Sequence, residues 1–207
     1  MPAYECEMTN LDSKQKEYLS QNFNAVNLSA KEIHSVEFDG CTFNECDFSE
    51  SIFNACKFID CLFLKCNLSV VNIAHSKFSD VTFDECKIVG VDWTQASWAS
   101  FKLPSPIKFQ KCIINDSSFF GLSLEEMVLE ECKAHDVDFR EGDFCESNFT
   151  YTDFLNSLFN NTNLAGADFT EAVNYNIDIY YNDIKRAKFS RYEAVRLLNN
   201  LDIELVD

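Results

Sequence analysis

The sequence predicts an all-β solenoid, a tube of stacked coils, on three observations. An apolar residue recurs at every fifth position from Phe23 to Leu103 without a miss, and again from Phe109 to Phe169 one step out of phase. Two residues before most of these centres stands a small or modest side chain, Cys46, Ser51, Cys56 and Ala167 among them. Between Val26 and Glu171 no Asp or Glu occupies either position, so both runs send their acids outward. In a chain that is 46% apolar, the unbroken first run would arise by chance roughly twice in a million trials, so the spacing reflects backbone geometry.

A period of five excludes the two common elements. On an α-helix five residues advance about 500°, which scatters the centres around the axis. On a flat strand an odd spacing sends successive centres to opposite faces. A chain that turns one corner per five residues, always in the same sense, keeps every fifth side chain inside a coil.

Along the chain, residues 1–20 precede the lattice and are expected to cap it, with Asp12 to Leu19 as a short helix or an irregular segment. A cap is needed because an open coil end is a sheet edge. Residues 21–171 form the repeat. Its cysteines suggest a coil of twenty residues, which stacks Cys46, Cys66 and Cys86 in one column, Cys41 on Cys61, and Cys112 on Cys132. Eight of the ten cysteines fall in the inner slot, where a free thiol serves as a small buried hydrophobe. A zinc cluster would want Cys-x-x-Cys pairs, and the chain has none; oxidation between stacked neighbours is the minor alternative. Lys31, Phe101, Leu122 and Met127 are too large or polar for a tight inner slot.

The two runs are separated by residues 102–108, which shift the phase by a single residue. Within them Leu103, Pro104, Ser105, Pro106 and Ile107 read equally as a register defect or a recognition bulge, since proline cannot donate a ladder hydrogen bond. Residues 172–207 are expected to form a C-terminal cap and dimerisation module. The lattice is interrupted at Asn174 and resumes with Ile179, Ile184 and Phe189. Ser190-Arg-Tyr-Glu193 reads as a capping box opening an α-helix. Tyr192, Val195, Leu198 and Leu201 would share its apolar face, followed by a strand-like tail of Ile203, Glu204 and Leu205.

The net charge is −17. Between Cys112 and Ile184 stand fifteen acids against Lys133 and Arg140, a net of −13, whereas Lys185, Arg186, Lys188, Arg191 and Arg196 reverse the sign beyond them. Such a balance argues against nucleic acid as a direct ligand and favours a basic partner. Seven to eight coils at about 4.8 Å make a rod of roughly 36 Å, and B-DNA carries about one charge per 1.7 Å. The linear charge densities are therefore comparable. Asp116, Glu126, Glu131, Asp136, Asp138, Glu141, Asp143 and Glu146 are the candidate DNA-like face; the plainer reading is a solubilising outer surface. No apolar stretch approaches the length of a membrane span and the N-terminus lacks a leader pattern, so a cytoplasmic location without membrane association is expected. His34, His75 and His135 fall in different columns, and no catalytic, cofactor or metal site is expected.

The motif x-[small]-x-[Phe/Leu]-x, seen as Cys41-Thr-Phe-Asn-Glu45, Cys46-Asp-Phe-Ser-Glu50 and Ala167-Asp-Phe-Thr-Glu171, resembles the pentapeptide-repeat family over residues 21–171. The resemblance implies a right-handed quadrilateral β-helix with four repeats per coil. The segment from Ala187 to Leu205 looks like the C-terminal module of that family's topoisomerase-protecting branch: the quinolone-resistance proteins and the immunity proteins against albicidin and microcin B17. Ala172 to Ile179 with Asn182 to Arg186 is most similar to the albicidin-resistance members. This likeness implies a short C-terminal α-helical module joining two rods into a homodimer through Ile179, Tyr192, Val195, Leu198, Leu201, Ile203 and Leu205. It further implies a DNA-mimicking, non-catalytic protein that binds DNA gyrase, and topoisomerase IV as a second target, and protects it from poisons. The chain departs from plasmid-borne quinolone-resistance members in having no loop insertion between Phe23 and Leu103. The alternative is a non-catalytic scaffold without a topoisomerase partner.

Overall fold

One residue in five, two positions beyond each centre, takes left-handed backbone: φ is 51° at Ala25, 53° at Glu45, 54° at Lys65 and 52° at Glu85. That residue is the corner the period of five requires. Left-handed backbone costs a non-glycine residue roughly 1–2 kcal/mol, yet glycine fills only four of these corners. The cost is offset because each corner N–H donates to the next coil, Ala25 to the Asn44 carbonyl and Glu45 to that of Leu64, both at 2.9 Å. In the computed structural model, which describes residues 7–8, 15–98, 107–201, 203, 204 and 206, the result is an all-β right-handed solenoid.

Strands are short and pair in parallel with their equivalents one coil on, Phe23 with Phe43 and Phe43 with Phe63. One sheet of seven strands runs along the rod, and shorter ladders and single bridges complete the other sides. The centres stack ring on ring along the axis: Phe23 on Phe43 at 4.9 Å, Phe43 on Phe63 at 4.6 Å, Phe63 on Phe83 at 4.8 Å. Edge-to-face contacts such as Phe38 on Phe43 at 5.3 Å link one side of the tube to the next. Offset-stacked and T-shaped pairs are the favoured aromatic geometries, and both kinds line this narrow tube.

The inner-slot cysteines have a bonding role that packing alone would not require. Cys86 Sγ donates to the Phe63 carbonyl at 3.3 Å and accepts the Cys66 N–H at 3.3 Å. Cys112 does the same for Phe83 and Cys86, and Cys132 for Phe109 and Cys112. Thr152 continues the pattern through its hydroxyl, toward Leu129 and Cys132. Each side chain bridges a carbonyl and an N–H that face the interior of the preceding coil, where an unpaired backbone group is costly. Burial, and then the hydrogen bond with Cys132, push the Cys112 thiol up from its ordinary value. The eight inner-slot cysteines are buried as free thiols.

Cys46, Cys66, Cys86, Cys112 and Cys132 therefore form one continuous column rather than two. The interruption explains why the sequence separates them. Phe83 pairs with Phe109 and Val81 with Ile107, so this coil spans 26 residues in place of 20. The phase shift of one is a whole repeat plus one residue. Leu103, Pro104, Ser105 and Pro106 lie outside the described residues. Ile107 opens the strand Ile107–Gln110 and is buried, which leaves it unavailable to a partner. Before the break the coil ends in a 3-10 turn, Trp93–Gln95, capped by the Asp92 side chain, and Trp98 Nε1 donates to the Trp93 carbonyl at 3.0 Å. Of the oversized inner-slot residues, Met127 is buried all the same and Leu122 packs partly against the core.

The ends differ from expectation. Glu17–Leu19 is a strand paired with Glu37–Asp39, and Tyr18 stacks on Phe38 at 5.3 Å, so coiling begins before residue 21. At the other end the expected α-helix is absent: Glu193–Leu198 is a short 3-10 turn with no buried residue. The capping box fails because its side chains are committed to the preceding coil. Ser190 Oγ donates to Glu171 Oε1 at 2.9 Å and accepts the Glu171 N–H at 2.8 Å. Glu193 accepts from the Asn174 N–H and from Arg196. Tyr192 is 92% and Val195 49% exposed, Ile203 is exposed, and Leu198 and Leu201 are half-buried. Leu205 lies outside the described residues. Ile179 is also half-buried, because Tyr175 and Ile177 take the core positions in its place. With no C-terminal helix, the expected dimer interface built on one is overturned. No helix of the described residues is long and apolar enough to cross a membrane.

Two stability measurements follow from this interior. In urea denaturation, Cys86→Ala should lose about 1–3 kcal/mol by orphaning the Cys66 N–H and the Phe63 carbonyl, while Cys86→Ser, which restores a hydroxyl bridge, should lose clearly less. Gly142 occupies an inner slot where a Cβ would lie 2.3 Å from the Phe144 ring and 3.2 Å from the Leu122 carbonyl. Gly142→Ala should therefore destabilise by about 1–3 kcal/mol through overpacking.

Candidate partner-binding surface

Corner residues are exposed and stack in four columns along the rod, because each is two residues beyond a buried centre and the centres stack. Charge is distributed unequally among them. One corner carries Asp60 and Asp80, then Glu126 and Glu146, tied into a single column by the pairing of Val81 with Ile107 and Lys108 with Val128. The diagonally opposite corner carries Glu50, then Val70 and Gly90, then Asp116 and Asp136, with Asp92 and Asp138 beside it. The third alternates in sign, Glu45, Lys65, Glu85, Lys111, Glu131. The fourth is nearly neutral, with Ser35, Ala55, His75, Gly121, Glu141 and Asn161.

The acids singled out in the sequence thus do not share one face. Glu126 and Glu146 lie on the first ridge, with Asp143 on the adjoining side, and Asp116, Asp136 and Asp138 belong to the second. Glu131 falls on the alternating corner and Glu141 on the neutral one. Asp60, Asp80 and Glu50 are acids of the same ridges that sequence reasoning missed. Adding coil lengths of 20 and one of 26 would have found them, but a phase count modulo five hides the longer coil.

Basic side chains neutralise the ridges only in part. Lys108 Nζ lies 2.8 Å from Asp80 Oδ1 and Arg186 3.4 Å from Glu146. Exposed pairs of this kind contribute about 0–1 kcal/mol. Arg140 lies 2.8 Å from Asp138 and above the Phe120 ring, and its hydrogen bond holds the Asp138 carboxyl below its ordinary value. His135 Nε2 meets Asp153 Oδ2 at 2.9 Å, and the Asn174 amide donates to Asp153 Oδ1 at 2.8 Å. His34 pairs with Glu32, and His75 sits on the neutral corner, so the three histidines share no site. Glu125, Asp143 and Cys145 bring ligand atoms within 4.8 Å of one another. Asp143 Oδ1 already accepts from Asn163 at 2.8 Å and from the Cys145 N–H at 3.3 Å.

A family model described as the pentapeptide repeat region matches residues 36–105 and 102–169. Among solved structures, a trypsin-treated variant of QnrB1, a plasmid-mediated fluoroquinolone resistance protein, is 21% identical with a TM-score of 0.62 over 92% of this chain and 90% of its own. HetL, a pentapeptide repeat protein involved in heterocyst differentiation regulation from the cyanobacterium Nostoc sp. strain PCC 7120, is 12% identical with a TM-score of 0.68 over 84% of this chain and 75% of its own. At these identities the likeness is one of fold. No curated protein matches the chain. The chain belongs to the pentapeptide-repeat family, whose β-solenoids are non-catalytic scaffolds.

Proposed function

We propose that the rod is a DNA-mimicking protein that binds the basic DNA groove of DNA gyrase, with topoisomerase IV as a second target, and protects the enzyme from poisons. The observation that carries this reading is the pair of acidic ridges on diagonal corners, Asp60 to Glu146 on one and Glu50 to Asp136 on the other. Their carboxylates come in pairs one coil apart, Asp60 with Asp80, Glu126 with Glu146 and Asp116 with Asp136, at about 4.8 Å, so a single rod carries two interrupted lines of negative charge on opposite corners. The fold it shares with QnrB1 supports the same reading. The protein acts by occupying the groove or by destabilising the poisoned cleavage complex, without chemistry of its own. Resistance to an antibiotic, or immunity of a producing cell, is the physiological result.

The second reading is an interaction scaffold with no topoisomerase partner, favoured by the comparable likeness to HetL. Gyrase supercoiling and cleavage assays with a quinolone and albicidin in parallel separate the two. The protective reading expects rescue of supercoiling in at least one arm. Neither inhibition of gyrase nor rescue from either poison would leave the scaffold reading.

The ridges also predict a salt signature, because ion pairing with a basic groove is screened. Affinity for gyrase should fall steeply with salt. Asp60→Asn, Asp80→Asn, Glu126→Gln and Glu146→Gln combined should flatten that dependence and weaken binding by about tenfold or more at 0.1 M salt. Glu45→Gln with Glu85→Gln, on the alternating corner, should change it far less. Equal effects from the two sets, in a titration followed by anisotropy, would refute the assignment of the ridges.

A further inference from the structure

Near its C-terminal end the rod leaves the 20-residue register and returns to it within one coil. Phe159 pairs with Ile177, a separation of 18, and Asn163 then pairs with Asp183 at 20. The coil contracts by two residues at Asn174 to Asn176 and restores them in the turn from Asp178 to Asn182. The restored residues carry Tyr180 and Tyr181 outward, 73% and 61% exposed. Elsewhere in the repeat region the centres turn their aromatic rings into the core.

The turn is pinned. Tyr180 N–H donates to Asp178 Oδ1 at 2.8 Å, the Asn182 amide donates to the Asp178 carbonyl at 2.8 Å, and the Tyr181 carbonyl accepts the Asn161 N–H at 2.7 Å. The two rings border an open hollow of about 530 Å³ that Asn161, Asn163, Asp183 and Lys185 help to line. Carboxylates lie within and below it: Asp183 lines the hollow, Asp143 stands two coils down the same column with Asn163 between them, and Glu141 lies two coils below Tyr181 on its own corner. Lys185 is held by Asp183 at 3.4 Å.

We propose that Tyr180 and Tyr181 form the aromatic anchor of a docking site for an arginine-bearing basic segment of a protein partner. This rests on the reading that the acidic rod binds a basic protein, and adds where such a partner is gripped by something other than charge. The argument is complementarity. Exposed tyrosines beside Asp183, with Asp143 and Glu141 two coils below, offer a guanidinium a ring face to stack on and an acid to pair with. A compact, strongly hydrated ammonium gains less from the same surface. Tyrosine and arginine are also the residue types that concentrate binding energy at interfaces, and a pinned turn reduces the entropy lost on docking.

The test uses the full chain with nona-arginine and nona-lysine peptides as probes, titrated by calorimetry at several salt concentrations. The native protein should bind nona-arginine about fivefold more tightly than nona-lysine. In Tyr180→Ala/Tyr181→Ala that preference should collapse to less than about twofold while the salt dependence of both peptides is unchanged, since no charge is removed. Tyr180→Phe/Tyr181→Phe should retain the preference because the ring faces remain. Equal binding of both peptides to the native protein, or a preference that survives the double alanine substitution, would overturn the proposal. A preference that behaves as expected in a protein that fails to protect gyrase would uphold the anchor and reject only the topoisomerase reading.

Discussion

Every coil depends on one residue in five holding left-handed backbone at a corner. Without that turn the chain would run on as a strand and send alternate residues to opposite faces. With it, successive three-residue strands each direct one side chain inward, and parallel ladders close between neighbouring coils. The corners are unfavourable one at a time and tolerable only in a stack, because the hydrogen bond that stabilises each belongs to the next coil. That is why such a chain folds as a rod in which each coil supports its neighbours.

The same corner explains both the interior and the exterior. Inside, it turns a carbonyl and an N–H toward the lumen, and the small hydrogen-bonding side chains Cys, Ser and Thr bridge them from the following coil. The inner-slot cysteines are thus backbone ligands buried among rings. Outside, the corner exposes one side chain per repeat in a fixed column. Like charges one coil apart repel, so an acidic ridge is a modest electrostatic cost borne at the surface. The alternating corner from Glu45 to Glu131 relieves that repulsion, whereas the ridges keep it.

Much of this was legible in the residues. Phe23, Phe43 and Phe63 announce the core by spacing, and Cys46, Cys66 and Cys86 announce the coil length. The break was legible only as a phase, since a shift of one and a shift of six are identical on a lattice of five. That ambiguity split the cysteine column and concealed the membership of Asp60 and Asp80 in the first ridge. At the C-terminus, Ser190 and Glu193 carry the spacing of a capping box, but spacing does not reveal competition. Glu171 and Asn174, one coil away, claim both side chains before a helix can use them.

By itself the sequence determined the solenoid, its inside and its outside, because a side-chain period records how often the backbone turns. It also determined the net charge and the family. Tertiary structure alone decided which acids lie in the same column, that one coil holds 26 residues, that Ile177 displaces Ile179 from the core, and that the C-terminal segment is a 3-10 turn. The physical reason is common to all four. Each depends on what the neighbouring coil places opposite a residue, and in a parallel stack that neighbour is about twenty positions away.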